Sequence, residues 1–215
     1  MDIIYLGHSS FKLKGRTATV VCDPYDKSVG IKFPGAEADI VTISHHHDDH
    51  DKAELVSGVK RTVDGPGEYE IMGVSILGFA SFHDAKKGEE RGGNTIYVIE
   101  MDGLRLCHLG DLGHSLSDEL VENLGDIDIL FIPVGGHYTI DAGTAVSVVQ
   151  AIEPSIVIPM HYQVPGLSPE IFGKLAPVEH FLKEVGLTAE RLPKFSVKKE
   201  EINPEVQKVV LLDRK

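Results

Sequence analysis

The amino-acid sequence predicts a single α/β domain over residues 1–215, built as a four-layer α/β/β/α sandwich with helices outside two facing sheets. Short strand-like runs dominate the first half, strands and helices alternate in the second half, and the later strands are apolar throughout. Wholly apolar strands are typical of sheets that helices cover. The length of 215 residues is sufficient for one such domain, and no linker interrupts the chain.

In the first half of the chain, runs of β-branched, aromatic and other apolar residues alternate with turn-forming residues such as Gly, Pro and Ser. This pattern is typical of strands joined by short loops. We therefore expect nine strands there, at Ile3–Leu6, Phe11–Lys14, Thr17–Cys22, Asp39–Ser44, Val59–Val63, Glu68–Met72, Val74–Phe82, Asn94–Met101 and Leu104–Cys107.

Helical patterns lie mainly in the second half. Ser117 is a good N-cap for a helix over residues 118–124, which Gly125 ends. A second helix is expected over Thr144–Glu153, and the longest amphipathic stretch predicts a third over Glu170–Val185. We expect three further strands, at Asp128–Pro133, Ser155–Met160 and Val206–Leu212.

The chain is acidic, since 33 Asp and Glu against 21 Lys and Arg leave a net charge of −12. Such a charge gives no bulk attraction for a polyphosphate backbone, so we expect a small-molecule substrate and no nucleic-acid partner. A small anionic substrate stays compatible, because a bound metal can be the largest local charge in a site. No apolar run approaches the roughly 20 residues of a membrane-spanning helix, so no membrane partner is expected. A homo-oligomer stays open.

The two cysteines, Cys22 and Cys107, are too few for a disulfide framework. We expect two buried thiols in strands. The first residues also lack the basic stretch and apolar core of a secretory signal. These features predict a cytoplasmic location.

Four histidines fall within six consecutive positions, directly after the apolar strand that ends at Ser44. The segment has the spacing His45-x-His47-x-Asp49-His50, and imidazole and carboxylate groups are good ligands for zinc and similar ions. Residues two apart on an extended backbone face the same side, so His45 and His47 can share one metal. Asp49 and His50 follow after the chain turns and can face a second metal nearby.

Other ligand-type residues stand singly at the ends of expected strands: Asp23, His83, Asp111 and His161. A solvated His/Asp loop, or a tract that binds metal adventitiously, is the alternative interpretation of the histidine segment. That alternative does not explain why so many strands end in residues of this type. We therefore expect these side chains to converge on one rim around a pair of cations.

The order of these residues resembles the metallo-β-lactamase superfamily. Its pattern is an Asp after an early strand, then HxHxDH, a lone His, a Gly-Asp pair and a final His, matched here by Asp23, His45–His50, His83, Gly110-Asp111 and His161. The segments 6–9, 108–111 and 158–162 look most like the branch that contains ascorbate-6-phosphate lactonase. This chain is shorter than that lactonase, so the lactonase substrate is not transferred.

The resemblance implies the metallo-β-lactamase fold and a cofactor of two divalent metal ions, with zinc expected first and manganese, iron or nickel as alternatives. It implies His45, His47 and His83 as ligands of the first metal, Asp49, His50 and His161 as ligands of the second, and Asp111 as the bridge between them. Asp23 is then a residue that orients a ligand through a hydrogen bond.

Two such ions can share a water and lower its pKa, so that hydroxide attacks a carbonyl carbon or phosphorus at neutral pH. We expect Asp49 to orient this nucleophile and to accept its proton. His137, after another apolar strand, is the candidate acid for the leaving oxygen. Gly135 and Gly136 are expected to let the backbone approach a substrate.

Three more residues are candidates near this rim. His8 is expected to contact substrate, and His108 to support the site structurally behind the ligands. Arg91 can bind a phosphate or carboxylate through its planar fork, although a simple charged turn is an equally good interpretation of its segment. His46 and Asp48 alternate with the ligands and are expected to point away.

The predicted function is that of a metal-dependent hydrolase acting on a small, anionic ester, lactone or phosphodiester. Two alternatives stay open: oxidation chemistry at a single iron, and a non-catalytic metal-binding regulatory module. The presence of both Asp49 and His50 favours a two-metal hydrolase over the single-iron alternative.

Overall fold

The computed structural model describes residues 1–215, which form two sheets packed face to face. Every strand expected from the sequence overlaps an observed one. The sixteen strands are β1 (Asp2–Gly7), β2 (Ser10–Lys14), β3 (Thr19–Cys22), β4 (Ala36–Glu37), β5 (Ile40–Thr42), β6 (Val56–Ser57), β7 (Arg61–Val63), β8 (Gly67–Ile71), β9 (Val74–Phe82), β10 (Gly93–Met101), β11 (Leu104–His108), β12 (Ile129–Pro133), β13 (Ile156–Met160), β14 (Thr188–Leu192), β15 (Phe195–Ser196) and β16 (Lys208–Leu212).

The sheets differ in size and in strand direction. The first has the order β15-β1-β2-β3-β5-β7, the second has the order β14-β16-β13-β12-β11-β10-β9-β8, and β4 pairs separately with β6. Strands β8 to β11 form an antiparallel meander, whereas β11, β12, β13, β16 and β14 are joined by parallel pairing. The helices are α1 (Asp118–Leu124), α2 (Ala142–Ile152), α3 (Pro169–Phe172) and α4 (Val178–Val185), with 3₁₀ turns at Lys27–Val29, Ala53–Leu55 and Lys199–Glu201. None of these helices has the length and hydrophobicity needed to cross a bilayer.

Three apolar layers hold the sandwich together. Between the sheets, Phe11 of the first packs against Phe131 of the second with ring centroids 4.5 Å apart. On the outer face of the second sheet, α2 and α4 bury Val148 and Phe181 against the strands. The outer face of the first sheet is covered by irregular chain that includes Tyr25 and by the short α3. The structure is therefore the predicted four-layer sandwich, with one outer layer made mostly of turns.

The predicted helix over Glu170–Val185 is wrong, because the structure has two helices there. Helix α3 ends at Phe172, and α4 begins at Val178 after Pro177. Proline has no backbone N–H and disfavours helical conformation in the residue before it, so the amphipathic pattern cannot continue through this point.

Other boundaries differ by small amounts. Helix α2 begins at Ala142, two residues before the predicted start, because the Asp141 carboxylate accepts a hydrogen bond from the Thr144 amide at 2.8 Å. Strands β14 and β15 were not expected, since their sequences lack a clear apolar alternation. Both are the outermost strands of their sheets.

Strand direction places the candidate residues along one rim. In the first sheet β1, β3 and β5 run the same way, and in the second β9, β11, β12 and β13 do so. The carboxyl ends of such strands lie at one edge of each sheet, where the connecting loops commonly bear functional groups. His8, Asp23, His83 and His161 directly follow β1, β3, β9 and β13, respectively.

Candidate metal centre

The seven predicted ligands lie in one cluster of side chains. It divides into three overlapping groups, in each of which the potential ligand atoms lie within 4.8 Å of one another. The groups are His45, His47 and His83; His45, His50 and Asp111; and His8, Asp49, His50 and His161. The expected convergence on one rim is therefore present, and His8 joins it.

The Asp111 carboxylate lies at the middle of the cluster. Its Oδ2 atom is 3.3 Å from Nε2 of His50, 3.3 Å from Nε2 of His83 and 3.2 Å from Nε2 of His161. Nε2 of His45 is 4.0 Å away. One buried oxygen thus faces four imidazoles, so this carboxylate lies where it can bind a cation together with several of these rings.

Left-handed backbone conformations turn several strand ends towards the cluster. His8, Asp23 and His161 have φ values of 55°, 43° and 51°, which non-glycine residues rarely adopt. Gly110, before Asp111, has a φ of 56°, and a Cβ there would lie only 2.3 Å from Oδ1 of Asn94. The Gly-Asp pair is therefore a steric requirement as well as a sequence signature. Strained backbone of this kind is often found at functional sites.

A hydrogen-bonded chain sets the tautomers of two histidines. The Ser44 hydroxyl donates to Oδ2 of Asp23 at 2.6 Å, so it accepts from Nδ1 of His45 at 2.9 Å. The same Asp23 oxygen accepts from Nδ1 of His50 at 2.8 Å. With both Nδ1 atoms protonated, Nε2 of each ring is directed to the cluster as a potential ligand.

Buried side chains also position the loop that contains Asp111. His108 accepts from the Gly110 amide at Nδ1, so its Nε2 donates to the carbonyl of Ser9 at 2.9 Å. Asn94 accepts from the Asp111 amide at 3.0 Å and donates to the carbonyl of Leu109 at 2.9 Å. His108 thus lies where a supporting role was predicted.

Burial and neighbouring charged groups shift the pKa values of several side chains at the centre. Burial opposes ionisation of Asp111, but its contacts with His161 and His50 hold the pKa of this carboxyl well below the usual range. The pKa of Asp49 is likewise lowered well below normal, against the effect of burial, by His50 and His8. Burial lowers the pKa of His8 to about 4, with His161 adding to the shift, so this ring is neutral at pH 7.

The residues present fit a divalent metal centre. Of the eleven buried side-chain N and O atoms without a hydrogen-bond partner, seven belong to residues of this cluster, among them Nε2 of His45, His50 and His161 and Oδ1 of Asp111. Buried polar atoms without a partner are costly, so their concentration at one point indicates a ligand that satisfies them. The carboxylates of Asp23, Asp49 and Asp111 form ion pairs only with histidines, none with Lys or Arg. Imidazole nitrogens with carboxylate oxygens form a donor set suited to zinc and similar ions.

Comparison with known proteins identifies the family of this chain. The family model described as the Beta-lactamase superfamily domain matches residues 2–161. The chain belongs to the metallo-β-lactamase superfamily. A relative from Thermococcus onnurineus, named UPF0173 metal-dependent hydrolase, is 31% identical, and the match covers 81% of this chain and 92% of the relative.

Solved structures with the metallo-β-lactamase fold superpose on almost the whole chain. A candidate Zn-dependent hydrolase of this superfamily from Thermotoga maritima has a TM-score of 0.82 and 37% identity, covering 100% of this chain and 99% of that one. A metallo hydrolase from Ignicoccus hospitalis has a TM-score of 0.65 and 22% identity, with 86% and 90% covered, and shows the shared fold.

In the protein described here, a cleft of about 410 Å³ opens onto the metal centre. His47, His83, Asp111 and His161 line the cleft, and Arg91, a candidate for binding a phosphate or carboxylate, lines it too. Aromatic and aliphatic residues that the sequence did not single out form other parts of its lining: Tyr138, Ile171 and Phe172.

Several residues predicted to contact substrate do not line the cleft. His8 is only 1% exposed and does not line the cleft; its Nε2 lies 3.0 Å from Oδ2 of Asp49, so it supports that carboxylate from behind. Gly135 is buried against the backbone carbonyl of His161, where a Cβ would lie 2.1 Å from the oxygen. Gly136 does not line the cleft either. Gly135 thus allows close packing of the loop that follows β12, whereas Gly136 has a left-handed backbone with a φ of 80°.

His137, the predicted acid for the leaving oxygen, also lies outside the cleft. Its exposed ring packs against Tyr138 with centroids 4.5 Å apart, and it is Tyr138 that lines the cleft. The side chains of adjacent residues point in different directions, and the sequence alone did not show which of the two faces the metal centre.

Two residues that support the centre are not apparent from the sequence. Ser44 and Asn94 are uncharged residues that are common in loops, so neither stands out before the fold is known. Ser44 does precede the HxHxDH segment directly, and this adjacency was the available signal. Nothing in the sequence around Asn94 points to the Asp111 loop, which lies next to it only after β10 and β11 pair.

Proposed function

We propose that this chain is a metal-dependent hydrolase that uses two divalent ions, zinc first among the candidates, on a small anionic ester, lactone or phosphodiester. The proposal depends on one observation, the Asp111 oxygen that lies within 4.0 Å of four imidazole nitrogens. Manganese, iron and nickel are the alternative metals, since the donor set accommodates each of them.

We assign the ligands to two ions according to the groups of neighbouring side chains described above. His45, His47 and His83 would hold one ion, Asp49, His50 and His161 would hold the other, and Asp111 would contact both. Bound in this way, the ions would polarise the substrate oxygen and make a water molecule acidic enough to act as a nucleophile at neutral pH.

The protein's own residues orient the reaction. Asp49 is half-buried at the cleft, and His8 holds one of its oxygens at 3.0 Å, so the carboxylate is fixed for orienting the water and accepting its proton. Asp23 and Ser44 accept hydrogen bonds from Nδ1–H of His50 and His45, respectively, so that the lone pair of each Nε2 would face a bound metal. The buried surroundings strengthen each of these interactions.

Arg91 supports the anionic substrate class. It is the only Lys or Arg that lines the cleft, and no carboxylate lies within ion-pair distance of its guanidinium. In a chain of net charge −12, a cationic group without an acidic partner at this position favours binding of an anion. We propose a small-molecule substrate and no nucleic-acid or membrane partner. The buried free thiols of Cys22 and Cys107 support a reducing, cytoplasmic location.

The test combines metal analysis with a substrate panel. Protein purified without added metal is analysed by mass spectrometry for metal content, then assayed on lactones, esters, thioesters and phosphodiesters with zinc, manganese, iron or nickel. We expect about two ions per chain and hydrolysis of at least one class. Asp111→Asn should abolish the activity, whereas Asp118→Asn, the same change at an exposed position on α1, should not.

The alternatives predict other results. A single tightly held iron per chain without hydrolysis would support oxidation chemistry at one iron. Metal binding with no activity on any substrate would support a regulatory module. Hydrolysis that survives Asp111→Asn would come from a contaminant or a different site, and would contradict the proposal.

A further inference from the structure

The loop between β9 and β10, residues 84–92, is organised by a single buried carboxylate. Asp84 is 4% exposed and directly follows His83. Its Oδ1 accepts from the amides of Lys86 at 2.7 Å and Gly88 at 3.0 Å, and its Oδ2 accepts from those of Glu90 at 3.0 Å and Arg91 at 2.8 Å. Four amides on one carboxylate constrain the loop to a single shape, because each bond is charge-assisted.

Backbone conformations in the loop agree with a tight closure around Asp84. Lys87, Gly88 and Gly92 have φ values of 59°, 83° and 88°. The Gly92 amide donates to the Gly88 carbonyl at 3.0 Å, and the His83 amide donates to the Gly92 carbonyl at 3.1 Å. The loop therefore returns to its starting point beside a predicted metal ligand.

The loop presents Arg91 to the cleft. The guanidinium carbon lies 5.3 Å from the centroid of the Tyr138 ring, close enough for a cation–π contact. Glu90, the neighbouring acid, is occupied by Lys86 at 2.6 Å and does not pair with Arg91. Arg91 thus keeps its donors available while its backbone is fixed by Asp84 and its side chain lies over Tyr138.

We propose that Asp84 is a positioning residue that holds Arg91 as the oxyanion contact of the cleft, so that this loop selects substrates with a phosphate or carboxylate group. The inference rests on the proposed function and specifies its substrate class. Asp84 does not touch the substrate; it acts through the amide of Arg91 and the fixed shape of the loop. A guanidinium supplies paired donors that match an oxyanion, which is the geometry such selection requires.

The test measures anion binding rather than turnover. Metal-loaded protein is titrated by calorimetry with inorganic phosphate and, separately, with acetate. Loss of a charge-assisted hydrogen bond weakens binding on the order of tenfold or more. Arg91→Gln should therefore lower the affinity for the preferred anion by about that factor. The stronger effect on phosphate or on acetate tells which oxyanion the loop selects.

Asp84→Asn should also lower the affinity for the anion. The NH₂ group of the new side chain would face backbone amides that need an acceptor, so the loop would no longer hold Arg91 in place. If Asp84 acts through Arg91, adding Asp84→Asn to Arg91→Gln should produce no further loss. Hydrogen exchange should accelerate at the amides of residues 86, 88, 90 and 91 in Asp84→Asn. Lys87→Gln, an exposed change of charge in the same loop, is the matched control and should leave anion affinity unchanged.

Gly92→Ala provides a second perturbation in case Asp84→Asn does not fold. A Cβ at this position meets nothing within 4 Å, so the substitution acts only through its positive φ. Gly92→Ala should lower the affinity for the anion, as Asp84→Asn does.

Several results would overturn the inference. Anion affinity unchanged in Arg91→Gln would exclude Arg91 as the contact. If the losses of anion affinity in Asp84→Asn and Arg91→Gln were additive in the double variant, or if Asp84→Asn lost its metal, Asp84 would act through its neighbour His83 instead. These failures are distinct from failure of the proposed function, which is read from the metal content of the parent protein and from hydrolysis by the parent protein and Asp111→Asn.

Discussion

Replacing Asp23 by Asn tests whether one carboxylate sets the protonation of the metal ligands. Asn has the shape of Asp and tolerates the left-handed backbone at this position, where φ is 43°, so the fold should persist. Its oxygen can still accept from the Ser44 amide, which lies 2.8 Å from Oδ1 of Asp23. Its NH₂ group, however, replaces the oxygen that accepts from both the Ser44 hydroxyl and Nδ1 of His50.

This substitution changes the preferred tautomer of His50. An NH₂ group next to Nδ1 favours the tautomer with its proton on Nε2, the atom that lies 3.3 Å from Oδ2 of Asp111. That proton must leave before a metal can bind. Changes of this kind behind a metal ligand typically cost 10–100-fold in affinity, or about 1.4–2.8 kcal/mol. The stability of metal-free protein should fall by about 1–3 kcal/mol, because buried polar groups lose good partners.

A competition titration of zinc against a chromophoric chelator at pH 7 measures the affinity. Asp48→Asn is the matched control, since this carboxylate lies in the same tract but is 78% exposed. Its zinc affinity should equal that of the parent protein. Parent-like affinity for both ions in a folded Asp23→Asn variant would refute the proposed control of the tautomers.

Three further substitutions test other parts of the structure. Gly110→Ala should lower the free energy of unfolding by about 2–4 kcal/mol, measured by urea denaturation, because its Cβ would meet Asn94 from a left-handed backbone; a neutral result would contradict the steric argument. Asp141→Ala should cost about 1 kcal/mol in the same assay by removing the N-cap of α2, and parent-like stability would show that the cap is dispensable. His137→Ala should change the hydrolytic rate on the best panel substrate by less than about twofold, since rim contacts outside the cleft contribute little; a hundredfold loss would restore its predicted catalytic role.

The sequence was most informative where chemistry and chain direction coincide. Asp23, His83 and His161 each directly follow a strand, and strands of common direction end at one edge, so their meeting could be predicted without coordinates. The apolar pattern of β12 and β13 also indicated their burial under helices. In both cases a local feature of the sequence determines the outcome.

The sequence was less informative where the outcome depends on packing between distant segments. Asp84 looks like one more acid in a charged loop, and only the folded loop shows four amides converging on it. The imidazole of His8 is a side chain that could contact a substrate, but the turn after β1 places it behind Asp49. A side chain's direction at a loop is set by backbone angles that residue type does not specify.

The metal centre is built from features that each destabilise the folded chain. Left-handed conformations at Asp23 and His161 cost of order 1–3 kcal/mol each, and a buried carboxylate such as Asp111 is opposed by desolvation. The apolar layers on either side of the second sheet supply the stability that keeps this rim in place. A cation bound only by the folded state would offset much of the remaining cost. Rigidity at the centre and dependence on metal are therefore two results of the same arrangement.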